Sequence, residues 1–279
     1  IVDLLSKNTA IVGRYQGGAN AGHTVYYNNK KLVLHQIPTG ILRKESKCVL
    51  GKGMVIDPVG IIEEMECLNK NDVDFKGRIF IDYYAHVVTP IHKLIDQTNE
   101  MRSGNKIGTT CKGIGPTYKD KYERIGIRMV DLLDTNLLKE KIDNRLKIAV
   151  NNNEIDDDSN LENDMAIFYD SCALIENFIQ DTFPVIYNNI ENNILIEGAQ
   201  GTLLDIDHGT FPYVTSSNCT AGGISPGLGI PGNKLDKVVG IFKAYVTRVG
   251  SGPFPTELFD QDGEKLQSLG KELGATTGR

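Results

Sequence analysis

Residues 48–68 read, in one-letter code, CVLGKGMVIDPVGIIEEMECL. Two short apolar runs, Cys48-Val49-Leu50 and Met54-Val55-Ile56, have the length and composition of strands. Asp57-Pro58 then supplies an N-cap and an N1 proline, and Ile61, Ile62, Met65 and Leu68 follow at helical spacing. This succession recurs along the chain. Arg78-Ile79-Phe80-Ile81-Asp82 predicts a short buried strand, and Thr89-Pro90 opens a second helix with Ile91, Leu94 and Ile95 on one face and Gly104 as its stop. Leu138, Ile142 and Leu146 mark a third helix, and Met165, Phe168, Cys172, Ile175 and Ile179 a fourth. Ile194-Leu195-Ile196 and the run from Val238 to Val249 predict further strands. Such alternation implies an α/β fold: a mainly parallel central sheet flanked by helices.

The remaining sequence narrows the class. With no repeat and no convincing linker, residues 1–279 are read as a single domain, in which the polar, acidic stretch Asn151–Asp164 forms an exposed loop between two helices. No apolar run approaches the roughly 20 residues needed to span a bilayer, so no membrane association is expected. The net charge of −6 argues against a dedicated nucleic-acid binder while leaving room for a local basic pocket. Five scattered cysteines without a Cys-x-x-Cys pair predict neither a zinc knuckle nor a disulfide framework, and point to a reducing compartment. Both ends read as cut: Ile1-Val2-Asp3-Leu4-Leu5 resembles the inside of a helix, and Gly274–Arg279 is a polar loop with nothing after it.

Two pattern matches fail on physical grounds, and a third is weak. Gly227-Leu-Gly229-Ile-Pro-Gly232 fits a dinucleotide fingerprint, but it follows a loop, and Pro231 removes an amide that a phosphate would need. Gly223-Ile-Ser225-Pro-Gly227 fits a nucleophile elbow, but the residue after the serine, Pro226, has no N–H for an oxyanion hole. Asp205-Ile-Asp207-His208 could ligate a metal, yet such a run is more often a hydrogen-bonded turn.

Glycine-rich polar loops carry the functional signal. Gly17-Gly18-Ala19-Asn20-Ala21-Gly22-His23-Thr24 exposes backbone amides beside an imidazole, which suits an anion as well as a tight turn. Gly108-Thr109-Thr110-Cys111-Lys112-Gly113-Ile114-Gly115-Pro116 combines hydroxyls, a cation and glycines, a phosphate-binding set or a surface turn. Gly198-Ala199-Gln200-Gly201-Thr202 follows the strand at Ile194, and the carboxyl ends of strands are where open α/β sheets bind ligands. Gln200 offers a donor and an acceptor to a purine edge. Arg248-Val249-Gly250-Ser251-Gly252-Pro253 and Thr276–Arg279 repeat the theme, which implies a large polar ligand such as a nucleotide.

Read together and in order, RYQGGANAGHT (14–24), GTTCKGIGPTY (108–118), EGAQGTLLDIDHGTFPYVTSSN (197–218), TRVGSGPFPTEL (247–258) and GATTGR (274–279) resemble the adenylosuccinate synthetase family over nearly the whole chain. The resemblance implies a P-loop-NTPase-like fold with additional helical and small β subregions. It implies a homodimeric, cytoplasmic enzyme of purine biosynthesis that joins IMP to L-aspartate at the expense of GTP, with Mg²⁺ as cofactor. Carried over by motif, His23 and Gln200 are the catalytic residues. Asn20, Ala21, Gly22, His23, Thr110, Arg124, Gln200, Thr215 and Arg279 bind IMP, with Arg124 contributed across the dimer interface. Gly22, His23 and Thr24 contact GTP, and the Gly22 carbonyl ligates the metal. Ala275, Thr276, Thr277, Gly278 and Arg279 form the aspartate loop.

The sequence also departs from the family pattern. A GDEGKGK-type phosphate loop, carrying the family's base and a phosphate-contacting lysine, would precede Ile1, and a guanine-reading segment would follow Arg279. The 279-residue chain by itself is therefore expected to be inactive. Lys112 stands where the family typically has arginine, which keeps the charge but loses the fork geometry, and Cys111 stands where bacterial members have glycine. The alternative is a non-catalytic nucleotide-binding protein of the same fold.

Overall fold

The computed structural model describes residues 1–102, 108–156 and 161–271. Five strands form a parallel sheet: β1 (Ile11–Arg14), β4 (Lys47–Leu50), β6 (Ile79–Asp82), β8 (Ile179–Gln180) and β9 (Ile194–Glu197), in the order β8-β6-β4-β1-β9. Outside it, β2 (His23–Tyr27) and β3 (Lys30–Leu34) make an antiparallel hairpin, and β5 (Val55–Ile56) pairs in parallel with β7 (His86–Val87). β1 occupies an inner position, with Arg14 in register with Leu50 on one side and Glu197 on the other. All four of its residues are buried, as befits a strand covered on both faces.

The period-2 alternation of side chains divides the core in two. Cys48 and Leu50 join Ile61, Leu68, Phe168 and Ile175 on one face, where helices α2 (Pro58–Lys70), α3 (Pro90–Arg102) and α6 (Glu162–Ile175) cover the sheet. Val49, between them, joins Ile11, Tyr15, Ile186, Ile224 and Leu228 on the other. The remaining helices are α1 (Val2–Leu5), α4 (Ile114–Glu123), α5 (Thr135–Asn151), α7 (Phe183–Tyr187), α8 (Ile224–Leu228) and α9 (Gln261–Gly270).

Most sequence expectations meet their elements. Pro58 opens α2 as its spacing predicts, although the Asp57 side chain makes no cap and instead pairs with Lys93 Nζ at 2.7 Å. Between α5 and α6 the acidic stretch enters helix at Glu162, and Ile155 within it is buried. Gly104, the expected stop of α3, lies outside the described residues.

Two expectations are corrected. Ile179 does not belong to the fourth helix: α6 ends at Ile175, a 3-10 turn follows over Glu176–Phe178, and Ile179 opens β8. The run from Val238 to Val249 forms no strand, and its apolar side chains stand exposed, Phe242 at 94%. A strand requires a partner to complete its ladder, and among the described residues none pairs with this run, so its apolar composition does not produce one.

The failed motifs are also explained. Ser225 sits within α8 and donates to the Ile230 carbonyl at 2.8 Å, and Gly229 closes that helix with φ of +75°. Asp205 is a buried acceptor for the backbone amides of Asp207, His208, Cys219 and Thr220, which is the hydrogen-bonded turn.

Candidate functional site

Because β1 and β9 are parallel neighbours ending at Arg14 and Glu197, the loops that follow them leave the same sheet edge side by side. Side chains then sew further loops to this edge. Gln16 donates through Nε2 to the Ala199 carbonyl and accepts from Ser217 Oγ at 2.9 Å. Tyr15 OH donates to the Cys219 carbonyl at 2.6 Å. The Gly17 amide donates to Tyr118 OH at 3.0 Å, and Tyr118 OH donates to the Gly53 carbonyl at 2.8 Å. Three of the loops singled out in the sequence, and the 215–218 segment, therefore converge. The 108–113 loop is in turn fixed to α3, where the Gly108 amide donates to Glu100 Oε1 at 2.8 Å and the Gly113 amide to Asp96 Oδ2 at 2.9 Å.

Close approach explains two glycines. A Cβ on Gly18 would stand 2.4 Å from the Val55 carbonyl oxygen, so no other residue fits. Gly17 has φ of +75°, and a Cβ there would lie 3.3 Å from Gln200 Oε1. Gln200 itself holds φ of +63°, which costs a non-glycine residue on the order of 1 kcal/mol or more. Both atoms of its amide are buried and lack a partner. A strained backbone and an unsatisfied buried amide make Gln200 a candidate ligand-binding group.

His23 begins β2, and its Nδ1 pairs with Glu197 Oε1. Glu197 Oε2 accepts from both the amide and the hydroxyl of Thr39, each at 3.1 Å. Burial pushes the Glu197 carboxyl up, but the His23 bond and charge, the Arg14 guanidinium and the Thr39 amide outweigh it and hold the carboxyl below its ordinary range. The pair engages Nδ1 of the imidazole. Arg14 is fully buried beside Glu197; it donates to the His35 carbonyl, and its Nε and Nη2 lack partners. His35 lies against Gly22, where a Cβ would stand 3.3 Å from its Nε2. Burial, then Lys112, His23 and Arg14, hold His35 below the usual imidazole range.

The other expected residues divide by place. Asn20 folds back, its Oδ1 accepting from the Gly18 amide at 3.3 Å; Ala21 is half-buried and Gly22 exposed on the same loop, and Thr24 is exposed on β2. Thr110 is exposed on the 108–113 loop. Thr215 is half-buried, its amide tied to the Leu204 carbonyl at 2.8 Å. Arg124 does not join them: it caps the far end of α4, exposed, with φ of +65°, about 15 Å along the helix from the loop. Ala275 to Arg279 lie outside the described residues. An exposed carbonyl at Gly22 suits a hard cation, but no group of three or more His, Cys, Asp or Glu side chains able to hold a metal exists among the described residues. Sequence reasoning missed Glu197, Arg14 and Tyr118. Charged residues at the carboxyl ends of two apolar strands, IVGR and ILIE, were the available signal.

An open, mainly parallel α/β sheet whose glycine-rich loops gather at the carboxyl ends of adjacent strands defines a class of proteins that bind ligand across that edge. Within that class, the chain belongs to the adenylosuccinate synthetase family, whose model matches residues 1–279. It is 48% identical to the adenylosuccinate synthetase of Pelodictyon phaeoclathratiforme, over all of this chain and 66% of that protein, and 48% identical to that of Chlorobium chlorochromatii with the same coverage. The solved structure of fully ligated adenylosuccinate synthetase from Plasmodium falciparum superposes with a TM-score of 0.91 at 40% identity, covering all of this chain and 66% of that one. The chain thus spans about two thirds of the length of the relatives it matches.

Proposed function

We propose that this chain forms part of a GTP-dependent ligase that joins IMP and L-aspartate into adenylosuccinate. The observation that carries the reading is the meeting of the His23–Glu197 pair with the unsatisfied amide of Gln200 at one sheet edge, in a chain of this family. The 6-oxygen of IMP is a poor leaving group, so the reaction needs two stages. The N1 proton passes to the base that the family's phosphate loop carries, O6 attacks the γ-phosphorus of GTP and GDP departs; the aspartate amine then attacks C6, phosphate leaves, and the amine's proton is released to solvent. Phosphoryl transfer depends on positioning and on neutralising spread charge.

Each residue has a matching task. His23, turned by Glu197, donates from Nε2 to the transferred group when its imidazole carries both protons. Gln200 holds the purine at N1 and O6. Asn20, Ala21, Gly22 and Thr24 line the nucleotide phosphates with amides and a hydroxyl, and Thr110 and Thr215 hold IMP by hydroxyls. Ala275 to Arg279 receive aspartate, and Arg279 also touches IMP. Mg²⁺, when bound, neutralises phosphate charge, and the Gly22 carbonyl is the ligand this chain offers it. Arg124 reaches the IMP of a partner subunit in a homodimer.

The test uses the complete protein encoded by the reading frame that contains this chain. IMP, L-aspartate and GTP should yield adenylosuccinate and phosphate in equal amounts, and His23→Ala should lower kcat by roughly 10² or more with nucleotide affinity largely kept. Failure to form adenylosuccinate would sink the assignment.

A further inference from the structure

The segment that leaves the β2–β3 hairpin, residues 35–39, is held between two buried carboxylates. Glu197 of β9 grips Thr39 from one side. Glu64 of α2 grips the other: Oε1 accepts from the Gln36 amide at 2.9 Å and Oε2 from the Ile37 amide at 3.0 Å. Two successive amides thus converge on one carboxylate, one on each oxygen. The Gln36 side chain doubles the bond to α2, donating to the Asp57 carbonyl at 3.0 Å and accepting from the Asp57 amide at 2.8 Å. Arg14 interacts electrostatically with both carboxylates.

A carboxylate is a costly way to fill this position. Glu64 is 5% exposed, on a helix whose neighbouring inward residues Ile61, Met65 and Leu68 are apolar. What it secures is the hairpin exit. His23 pairs in register with Leu34, just ahead of the clasped amides, so fixing residues 36–37 fixes the strand across from His23. Glu64 also lines a cavity of about 220 Å³ with Ala19, His35 and Lys112, between the first glycine-rich loop and the second.

We infer that Glu64 is a positioning residue for His23, acting through the amides of Gln36 and Ile37. The inference rests on the ligase reading above for what His23 does, and on the hydrogen bonds alone for how it is held. The test compares parent, Glu64→Gln and Glu64→Asp in the complete protein, with amide exchange read residue by residue and turnover read in parallel. In Glu64→Gln, exchange across His23–Leu34 should rise about tenfold or more while Lys47–Leu50 of β4 stays near parent, because the amide side chain puts an NH2 against one of the two N–H groups and cannot accept from both in this arrangement. Turnover should fall about tenfold or more in kcat with KM for the nucleotides little changed, and Glu64→Asp should recover part of it. Hairpin exchange near parent in Glu64→Gln, or acceleration spread equally through β4 and β6, would overturn the inference. Glu64→Asp carries the same comparison should the glutamine variant not fold. A parent without turnover whose hairpin is loosened would sink the ligase reading alone; an active parent with an unmoved hairpin would sink the clasp alone.

Discussion

Glu64 shows how one residue trades stability for placement. Burial lifts its carboxyl from 4.5 to about 7, against the opposing pull of the Ile37, Gln36 and His35 amides and of the Arg14 charge. An acid whose folded value lies above its unfolded one favours the fold in its protonated form. Its contribution is therefore complete below about pH 4.5 and is lost as pH rises through about 7, a swing on the order of 3 kcal/mol. Glu64→Gln, which carries no charge at any pH, should flatten that part of the curve of unfolding free energy against pH between 4.5 and 7. Denaturant titrations at several pH values measure it, and an identical slope in parent and variant would count against the assignment. A buried group that titrates near neutrality is what a site demands and a core avoids.

At the scale of the element, α4 is held by a buried ion cluster. His92 Nε2 and Arg145 Nε both meet Asp120 Oδ2, the first at 2.9 Å, and Arg145 Nη1 meets Glu154 Oε2 at 2.8 Å. His92, Asp120 and Arg145 are all nearly fully buried, and they pin α4 to α3 and α5. Burial pushes the Asp120 carboxyl up, but His92 and Arg145 outweigh it and hold it low. Asp120→Asn should destabilise the protein by about 3 kcal/mol, since it leaves the Arg145 charge buried and half-paired. Tyr118, two residues away on the same helix, should lose its hold on the Gly17 amide, and nucleotide affinity should drop with stability. Chemical denaturation and nucleotide titration together check this.

The same scale shows what could be read from sequence. α2 was legible because Asp57-Pro58 and a 3.6-residue apolar repeat act locally. β1 was not singled out, because Ala10-Ile11-Val12-Gly13-Arg14 carries a glycine and a buried arginine whose partners, Glu197 and the His35 carbonyl, lie far away in the chain. The Val238–Val249 run misled for the converse reason: its composition suits a strand, but a ladder needs a neighbour that composition does not reveal. At the site, glycine-rich loops announced themselves, whereas Glu64 and Glu197 matter through amides and an imidazole that only the fold brings to them.

At the scale of the whole molecule, α4 points in two directions. Its first residues face the loops, Gly115 beside Ser216 and Ile114 against Gly18, while Arg124 at its other end is exposed next to Tyr122, itself 72% exposed, and Ile125. Under the homodimer proposed above, an arginine set on a partly apolar surface, one helix length from its own site, would serve a neighbouring copy, and a two-fold axis would make the exchange mutual. The consequence is arithmetical. In a mixture of Arg124→Leu and His23→Ala subunits, each heterodimer holds one site with an intact His23 from the first and an intact Arg124 from the second. Its other site lacks both. Random pairing of equal amounts should then restore activity in about a quarter of all sites, although each variant alone is nearly inactive. Mixing after mild dissociation, followed by an adenylosuccinate assay across a range of ratios, measures the recovery. Maximal activity at the equal mixture supports a shared site, and a flat line at the level of the separate variants would confine Arg124 to its own subunit.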